Sequence, residues 1–392
     1  MPKRSVADAD VCGKRVLVRV DFNVPLRDGD IADDTRIRAA LPTIRHLLDG
    51  GAAVVLVTHL GRPKGKPDAA LSVAPVGRRL GELLTRPVTV AASVRGPKVT
   101  QAAADLTPGD ILLLENTRFE PGEEANDPAL AAELARLGDL FVNDAFGSAH
   151  RAHASTVGVA ELLPAYAGLL LLREEATLSR LLHNPERPFV AVLGGAKVTD
   201  KLAVIAHLLD RVDALLLGGG MANTVLLAQG HEVGASLAEP NHIEAARKLV
   251  ADAEQKGVMV LVPSDVVVAS SLDSGAAEVT GVGDIAADRA IFDIGPASVT
   301  RFCARIAGAK TVFWNGPMGV FEHPSFAAGT LGIARCVADA AAFTVVGGGD
   351  SLAAIDAAGV VARIDHISTG GGASLEFLEG RELPGIAVLP DA

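Results

Sequence analysis

The chain has 392 residues, 49% of them hydrophobic and only 4% aromatic, so Ala, Val and Leu must fill its interior. That length exceeds one ordinary core and predicts two domains of roughly 150–200 residues, while the apolar content excludes a disordered chain. A formal net charge of −11 argues against nucleic acid as the main partner, but a local arginine cluster can still hold a small anion.

In chain order, the first half alternates apolar β-rich runs at Arg15–Val20, Ala53–Thr58, Pro87–Ala91, Ile111–Leu114 and Leu140–Val142 with helical patterns at Arg36–Leu48, Val73–Leu84 and Pro128–Leu137. The second half repeats the plan, with strands predicted at Phe189–Leu193, Ala214–Leu217, Val258–Val262, Thr311–Trp314 and Phe343–Val346. Helices are predicted at Val198–Leu209, Ala222–Ala228, His242–Lys256, Ser325–Ala341 and Ser351–Asp356. Nearly continuous apolar strands alternating with helices indicate buried parallel sheets covered on both faces. The expected fold is therefore α/β: two doubly wound, Rossmann-like parallel-sheet domains joined by a hinge helix. The junction is placed between Leu169 and Pro188, where a leucine-rich helix ends in Asn184-Pro185-Glu-Arg-Pro188.

Three widely spaced cysteines (Cys12, Cys303, Cys336) show no C-x-x-C pair and read as free thiols, with neither a disulfide framework nor a zinc site. The first residues carry no apolar signal-peptide core, and the longest uncharged stretch, Ala214–Gly230, is too short to span a bilayer. A cytoplasmic protein with no membrane or nucleic-acid partner is expected.

The ends of the predicted strands carry the chemistry, as ligand sites of open parallel sheets require. In the second half they end in glycine: Gly194-Gly195, Gly218-Gly-Gly220, Gly347-Gly-Gly349 and Gly370-Gly-Gly372. One such cluster is more often a tight turn; four at one sheet edge suggest backbone N–H groups approaching phosphates. Neither a Walker A motif nor a complete G-x-G-x-x-G is present. Asp350 and Ser351 stand at a predicted helix start and read either as an N-cap or as an acidic ligand to Mg²⁺. Lys197 and Lys201, four apart at the start of another predicted helix, would share a face around an anion.

In the first half the strands end in charge. His59, Arg62, Arg118, His150 and Arg151, converging from four strand ends, would build a pocket for phosphate and carboxylate groups, with Asp21 and Asn23 binding a hydroxyl. Arg36 and Arg38 diverge by roughly 200° on a helix, so only one faces a given site. No nucleophile elbow, Cys–His pair or zinc motif appears. Positioning plus positive charge remains, which is what phosphoryl transfer asks of a protein.

At these residues the sequence resembles the phosphoglycerate kinases over nearly its whole length. The first half carries Arg19-Val-Asp-Phe-Asn-Val-Pro25, His59-Leu-Gly-Arg-Pro63, Leu114-Glu-Asn-Thr-Arg-Phe119 with Gly122-Glu-Glu124, and Val142-Asn-Asp-Ala-Phe-Gly147 with Ala149-His-Arg-Ala-His153. The second carries Leu193-Gly-Gly-Ala-Lys197 with Asp200-Lys201, Gly218-Gly-Gly-Met-Ala222, Trp314-Asn-Gly-Pro-Met-Gly-Val-Phe-Glu322, Gly347-Gly-Gly-Asp-Ser351 and Ser368-Thr-Gly-Gly-Gly-Ala373. The resemblance implies reversible phosphoryl transfer from 1,3-bisphosphoglycerate to ADP, giving 3-phosphoglycerate and ATP with Mg²⁺, by direct in-line transfer after hinge closure. It implies a glycerate site at Asp21, Asn23, Arg36, His59, Leu60, Gly61, Arg62, Arg118 and Arg151. Arg36, Lys197, Gly371 and Gly372 match the family's catalytic positions. Lys201, Gly218, Gly219, Asn315, Pro317, Glu322, Gly347, Gly348, Gly349, Asp350 and Ser351 match its nucleotide site, with Asp350 on the metal. The implied organisation is a phosphoglycerate-binding domain at 1–170, a hinge at 171–188, a nucleotide-binding domain at 189–373 and a tail at 374–392 returning to the first domain, in a monomer. Two departures stand out: Ile291 where the family often has glycine near the adenine, and Leu170-Leu-Leu-Arg-Glu-Glu175 in place of the commoner lysine-containing hinge helix.

Overall fold

A computed structural model describes residues 2–274 and 276–392. Contacts divide the chain into two units, one of residues up to Ala176 together with Arg381–Ala392, the other of Thr177–Gly380.

In the first unit the elements run β1 (Arg15–Arg19), a small hairpin of β2 (Leu26–Arg27) and β3 (Asp30–Ile31), α1 (Thr35–Asp49), β4 (Ala53–Val57), α2 (Ala74–Leu84), β5 (Thr89–Val90), α3 (Pro97–Ala104), β6 (Ile111–Leu113), α4 (Pro128–Ala135), β7 (Leu140–Asn143) and β8 (Ala165–Ala167). The six-stranded sheet has the order β5-β6-β4-β1-β7-β8 and is parallel throughout. The chain fills one side of β1 with β4, β5 and β6 and then the other with β7 and β8, so the reversal lies between β1 and β7. Helix α1 forms because Ile37, Ala40, Leu41, Ile44, Leu47 and Leu48 recur at three- and four-residue spacing and are buried against the sheet. Its amino end thereby delivers Arg36 to the carboxyl edge of that sheet. The boundary between the units falls inside α5 (Leu169–His183).

The second unit contains β9 (Phe189–Leu193), α6 (Leu202–Leu208), β10 (Ala214–Leu217), α7 (Gly219–Ala228), α8 (Ile243–Gln255), β11 (Met259–Leu261), β12 (Asp265–Ala269), β13 (Glu278–Gly281), β14 (Ala290–Ile294), α9 (Pro296–Ala307), β15 (Thr311–Asn315), α10 (Ala328–Asp339), β16 (Phe343–Gly347), α11 (Gly349–Ala357), β17 (His366–Ser368) and α12 (Gly372–Leu378). A short α13 (Pro384–Ala387) follows in the tail, which belongs to the first unit. The main sheet, β11-β10-β9-β15-β16-β17, is again parallel and reverses between β9 and β15. Trp314 is buried at the centre of its core. The expected α/β class and doubly wound parallel sheets are present. The antiparallel sheet β13-β12-β14 is an addition that the alternating pattern did not reveal.

Two expectations are corrected. Cys303 and Cys336 are not free thiols: α9 and α10 bring their Cα atoms to 5.4 Å and the sulfurs are bonded, leaving Cys12 as the free, exposed cysteine. Their 33-residue separation concealed a pairing made by two neighbouring helices. Nor do Lys197 and Lys201 share a helical face, because α6 begins at Leu202 and residues 198–201 form a turn. The Glu239 carboxylate holds that turn by accepting from the Thr199 N–H (3.0 Å) and hydroxyl (2.7 Å).

Candidate active site

The carboxyl edge of the first sheet gathers most of the predicted basic set. Arg36 donates to Asp21 at 2.6 Å, while Arg38, two residues on, turns outward to Asp34 at 2.7 Å. Burial alone would raise the Asp21 carboxyl, but the surrounding charges, led by Arg36, hold it below the ordinary range. Asn23 accepts from the Gly61 N–H at 2.9 Å, and Arg118 donates to the Gly61 carbonyl at 2.8 Å. Leu60 is fixed from both sides, its N–H donating to the Asn116 side chain and its carbonyl accepting from it. The His59–Arg62 turn is thus clamped by residues following β1 and β6. His59 is buried, and burial together with the Arg19, Arg118 and Arg36 charges sets its pKa well below the ordinary value, with Asp21 opposing. Arg62 is exposed and lies near enough to Arg118 to repel it. Arg151, beyond the short turn after β7, is exposed and contacts the ring of His150.

The structure adds Arg19, Glu123 and Ser155 beneath this pocket. Arg19 is 1% exposed and donates through Nε to the Ser155 hydroxyl at 2.8 Å and through Nη2 to His59 Nδ1 at 3.0 Å. Ser155 in turn donates its N–H and hydroxyl to the buried Glu123 carboxylate. The signal was present in the sequence, as a charged residue closing the apolar run Arg15-Val-Leu-Val-Arg19 and a carboxylate in Gly122-Glu-Glu124.

In the second unit the glycine clusters divide into two kinds. Gly194, Gly195, Gly218 and Gly219 donate their N–H groups to protein carbonyls, those of Asn315, Pro317, Leu193 and Met318. A Cβ on Gly194 would overlap the Pro317 carbonyl, so this cluster exists for close approach of three loops. Lys201 is buried across the same loops and donates to the Gly194 carbonyl, the Asn315 carbonyl and the Asn315 side chain at 2.7, 2.8 and 2.5 Å. Burial pulls its pKa down to about 8, against the Asp350 and Asp200 charges. Asn315 also donates to the Gly347 carbonyl, and Ser351 accepts from the Gly316 N–H at 2.6 Å.

Gly348–Ser351 and Gly370–Gly372 are different. Gly348 is the N-cap of α11, so the N-cap reading of Asp350 and Ser351 does not hold; Asp350 is exposed in the first turn. Gly349 and Gly372 open two helices with no atom near their missing Cβ positions, and Gly371 has φ +55. Such ends present unpaired N–H groups and a positive dipole end. Lys197 is exposed and has no ion-pair partner among the described residues. A cavity of about 820 Å³ is lined by Gly219, Leu237, Ile291, Pro317, Glu322 and Asp350, among others, with Ile291 on its apolar wall. Among the described residues no three metal-ligating side chains cluster, and the carboxylates lining this cavity are Glu322 and Asp350.

Comparison with known proteins identifies the family. The profile of the phosphoglycerate kinase family matches residues 6–381. The chain is 58% identical over 399 residues to the phosphoglycerate kinase of Chloroflexus aurantiacus, and 57% identical over 395 residues to that of Roseiflexus castenholzii, with 100% of each chain covered in both cases. Among solved structures, phosphoglycerate kinase from Coxiella burnetii aligns with a TM-score of 0.87 at 42% identity, covering 99% of this chain and 98% of that one. The enzyme from Pyrococcus horikoshii aligns at 0.88 and 34% identity, covering 98% of each. By sequence along its full length and by fold in both units, the chain belongs to the phosphoglycerate kinase family.

Proposed function

We infer that the chain transfers a phosphoryl group reversibly between the acyl phosphate of 1,3-bisphosphoglycerate and ADP, giving 3-phosphoglycerate and ATP. One observation carries the assignment of sites: guanidinium groups converge at the sheet edge of one unit, and in the other the first turn of α11, through Asp350, borders an 820 Å³ cavity. Asp21, Asn23, Arg36, His59–Arg62, Arg118 and Arg151 hold the glycerate. Gly218, Gly219, Asn315, Pro317, Glu322 and Gly347–Ser351 hold the nucleotide, with Glu322 on the ribose. Lys201 reaches the phosphates by exchanging one of its three protein acceptors for a phosphate oxygen.

Transfer needs positioning and charge at the moving phosphoryl more than it needs a nucleophile on the protein. Arg36 and Lys197 supply positive charge, and Gly371 and Gly372 supply fixed backbone donors. The exposed Asp350 carboxylate, without an ion pair among the described residues, fits Mg²⁺, which takes one or two carboxylates and fills its remaining positions with water and phosphate. When bound, that ion would neutralise phosphate charge. Because donor and acceptor are assigned to different domains (1–170 and 189–373, with a hinge at 171–188 and a tail at 374–392), direct in-line transfer requires the hinge to close. Action as a cytoplasmic monomer belongs to the same proposal.

Separate titrations of the two ligands test the assignment. Arg118→Ala should weaken 3-phosphoglycerate binding and spare Mg-ATP, and Glu322→Ala should do the reverse. If each substitution weakened both ligands alike, two separate sites would be excluded.

A further inference from the structure

We propose that Arg19 is a positioning residue that fixes His59 as a neutral imidazole with its proton on Nε2, so that His59 offers one directed hydrogen bond to an acceptor oxygen of the bound ligand. The assignment follows from donor and acceptor rules. A guanidinium only donates, so the ring nitrogen 3.0 Å from Arg19 Nη2 must accept. That nitrogen is Nδ1, and a neutral imidazole whose Nδ1 accepts carries its proton on Nε2. A second proton on Nδ1 would set two donors face to face.

Arg19 cannot easily yield to such a proton. Its Nε is held by Ser155 at 2.8 Å, its Nη1 donates to the Val20 carbonyl, and its Nη2 also donates to Ser148 at 3.3 Å. Ser155 donates to Glu123, which is fully buried, so Glu123 and Arg19 form an ion pair bridged by one hydroxyl. The chain Glu123–Ser155–Arg19–His59 therefore runs from the interior to the basic pocket. The charged groups facing the ring are Asp21, Arg19, Arg118 and Arg36, and three cations against one carboxylate oppose a further positive charge. His59 Nε2 has no partner among the described residues, so its proton is left for a ligand.

Such a histidine discriminates differently from the arginines around it. They attract any anion, whereas a neutral N–H donates along one direction and adds no charge. The ligand atom it meets is an acceptor: a carboxylate, hydroxyl or phosphate oxygen. The tautomer is a property of the free protein; only the identity of the ligand rests on the glycerate-site reading.

The test is nitrogen NMR of the full-length protein labelled with ¹⁵N-histidine, with His59→Gln used to assign the signal. Ligand-free protein should show His59 with bare Nδ1 and protonated Nε2, unchanged from pH 5.5 to pH 8. Saturating 3-phosphoglycerate should shift the Nε2–H signal. Arg19→Met should make the ring mix tautomers or titrate, and should raise the KM for 3-phosphoglycerate roughly tenfold, the order of one lost hydrogen bond. Should Arg19→Met fail to fold, His59→Gln carries the kinetic arm. Its flexible amide lacks the ring that Arg19 aims, so it should raise the KM for 3-phosphoglycerate several-fold with a smaller change in kcat, and an unchanged KM would refute the role of His59 as a ligand donor. A protonated Nδ1, or a cationic ring at pH 6 in the free wild-type protein, overturns the proposal. If the tautomer is as described but 3-phosphoglycerate neither binds nor reacts, the proposed tautomer stands and the glycerate assignment fails. If 3-phosphoglycerate binds and the Nε2–H signal does not move, His59's role as a ligand donor is refuted.

Discussion

Replacing Asp144 with asparagine should remove a pH dependence of stability that the fold imposes on one buried carboxyl. Asp144 follows β7, is fully buried, and accepts at one oxygen from the N–H groups of Leu170 (2.9 Å) and Leu171 (3.3 Å) in the first turn of α5. Its other oxygen has no hydrogen-bond partner among the described residues. Burial raises the carboxyl from 3.8 to about 7, although the Thr43 hydroxyl and those two N–H groups pull it down. Between pH 4 and pH 7 the native chain therefore keeps a proton that the unfolded chain has lost. Because the folded pKa is the higher one, the stabilisation is complete below pH 4 and is lost as pH rises through 7. The gap corresponds to about 4 kcal/mol at 1.36 kcal/mol per unit. An asparagine at this position would retain an acceptor for both N–H groups and cannot ionise. Its amide hydrogens would take the unpartnered side at a cost of about 1–3 kcal/mol that does not vary with pH. The slope is thus the diagnostic quantity. Exchange of the Leu170 and Leu171 amides should lose protection in the wild type from pH 4.5 to pH 8, after correction for intrinsic rates. In Asp144→Asn that loss should shrink by about 3 kcal/mol in opening free energy, the part of the gap that falls between pH 4.5 and pH 8. Parallel slopes in the two proteins would refute the reasoning.

Arg36→Ala should lower kcat about 10²–10³-fold with little change in KM, whereas Arg38→Ala, paired outward with Asp34, should do far less; equal kcat losses would remove Arg36 from its role. Lys201→Ala should weaken nucleotide binding and also loosen the Gly194 and Asn315 loops, so its melting temperature should fall where that of Lys197→Ala does not. With the Lys201 pKa near 8, nucleotide affinity should decline as pH rises past 8, and a flat binding profile to pH 9.5 would contradict that. Small-angle scattering should give a smaller radius of gyration with 3-phosphoglycerate plus Mg-nucleotide than with either alone, because only the pair rewards closure; an unchanged radius would remove hinge closure from the account.

Ten of the twelve parallel strands were legible because most are nearly uninterrupted apolar runs, and α1 because its burial repeats every three to four residues. Strands β8 and β17, three residues each, are too short to carry a pattern. The strand β13 is half exposed, so no apolar run marks it. The glycine clusters drew attention for the right edge of the sheet but for one reason where two operate: Gly194 and Gly218 permit loop-on-loop packing, while Gly349 and Gly372 open helices. Arg19 and Glu123 escaped because a buried ion pair depends on neighbours far apart in the chain, here joined through Ser155. The Cys303–Cys336 bond escaped for the same reason.

The most direct test mixes the purified chain with Mg-ATP and 3-phosphoglycerate and traps the acyl phosphate product with hydroxylamine. The account predicts a hydroxamate whose formation needs both substrates and Mg²⁺ and collapses in Arg36→Ala. Hydrolysis of ATP at the same rate without 3-phosphoglycerate, or no acyl phosphate with all components present, would contradict it.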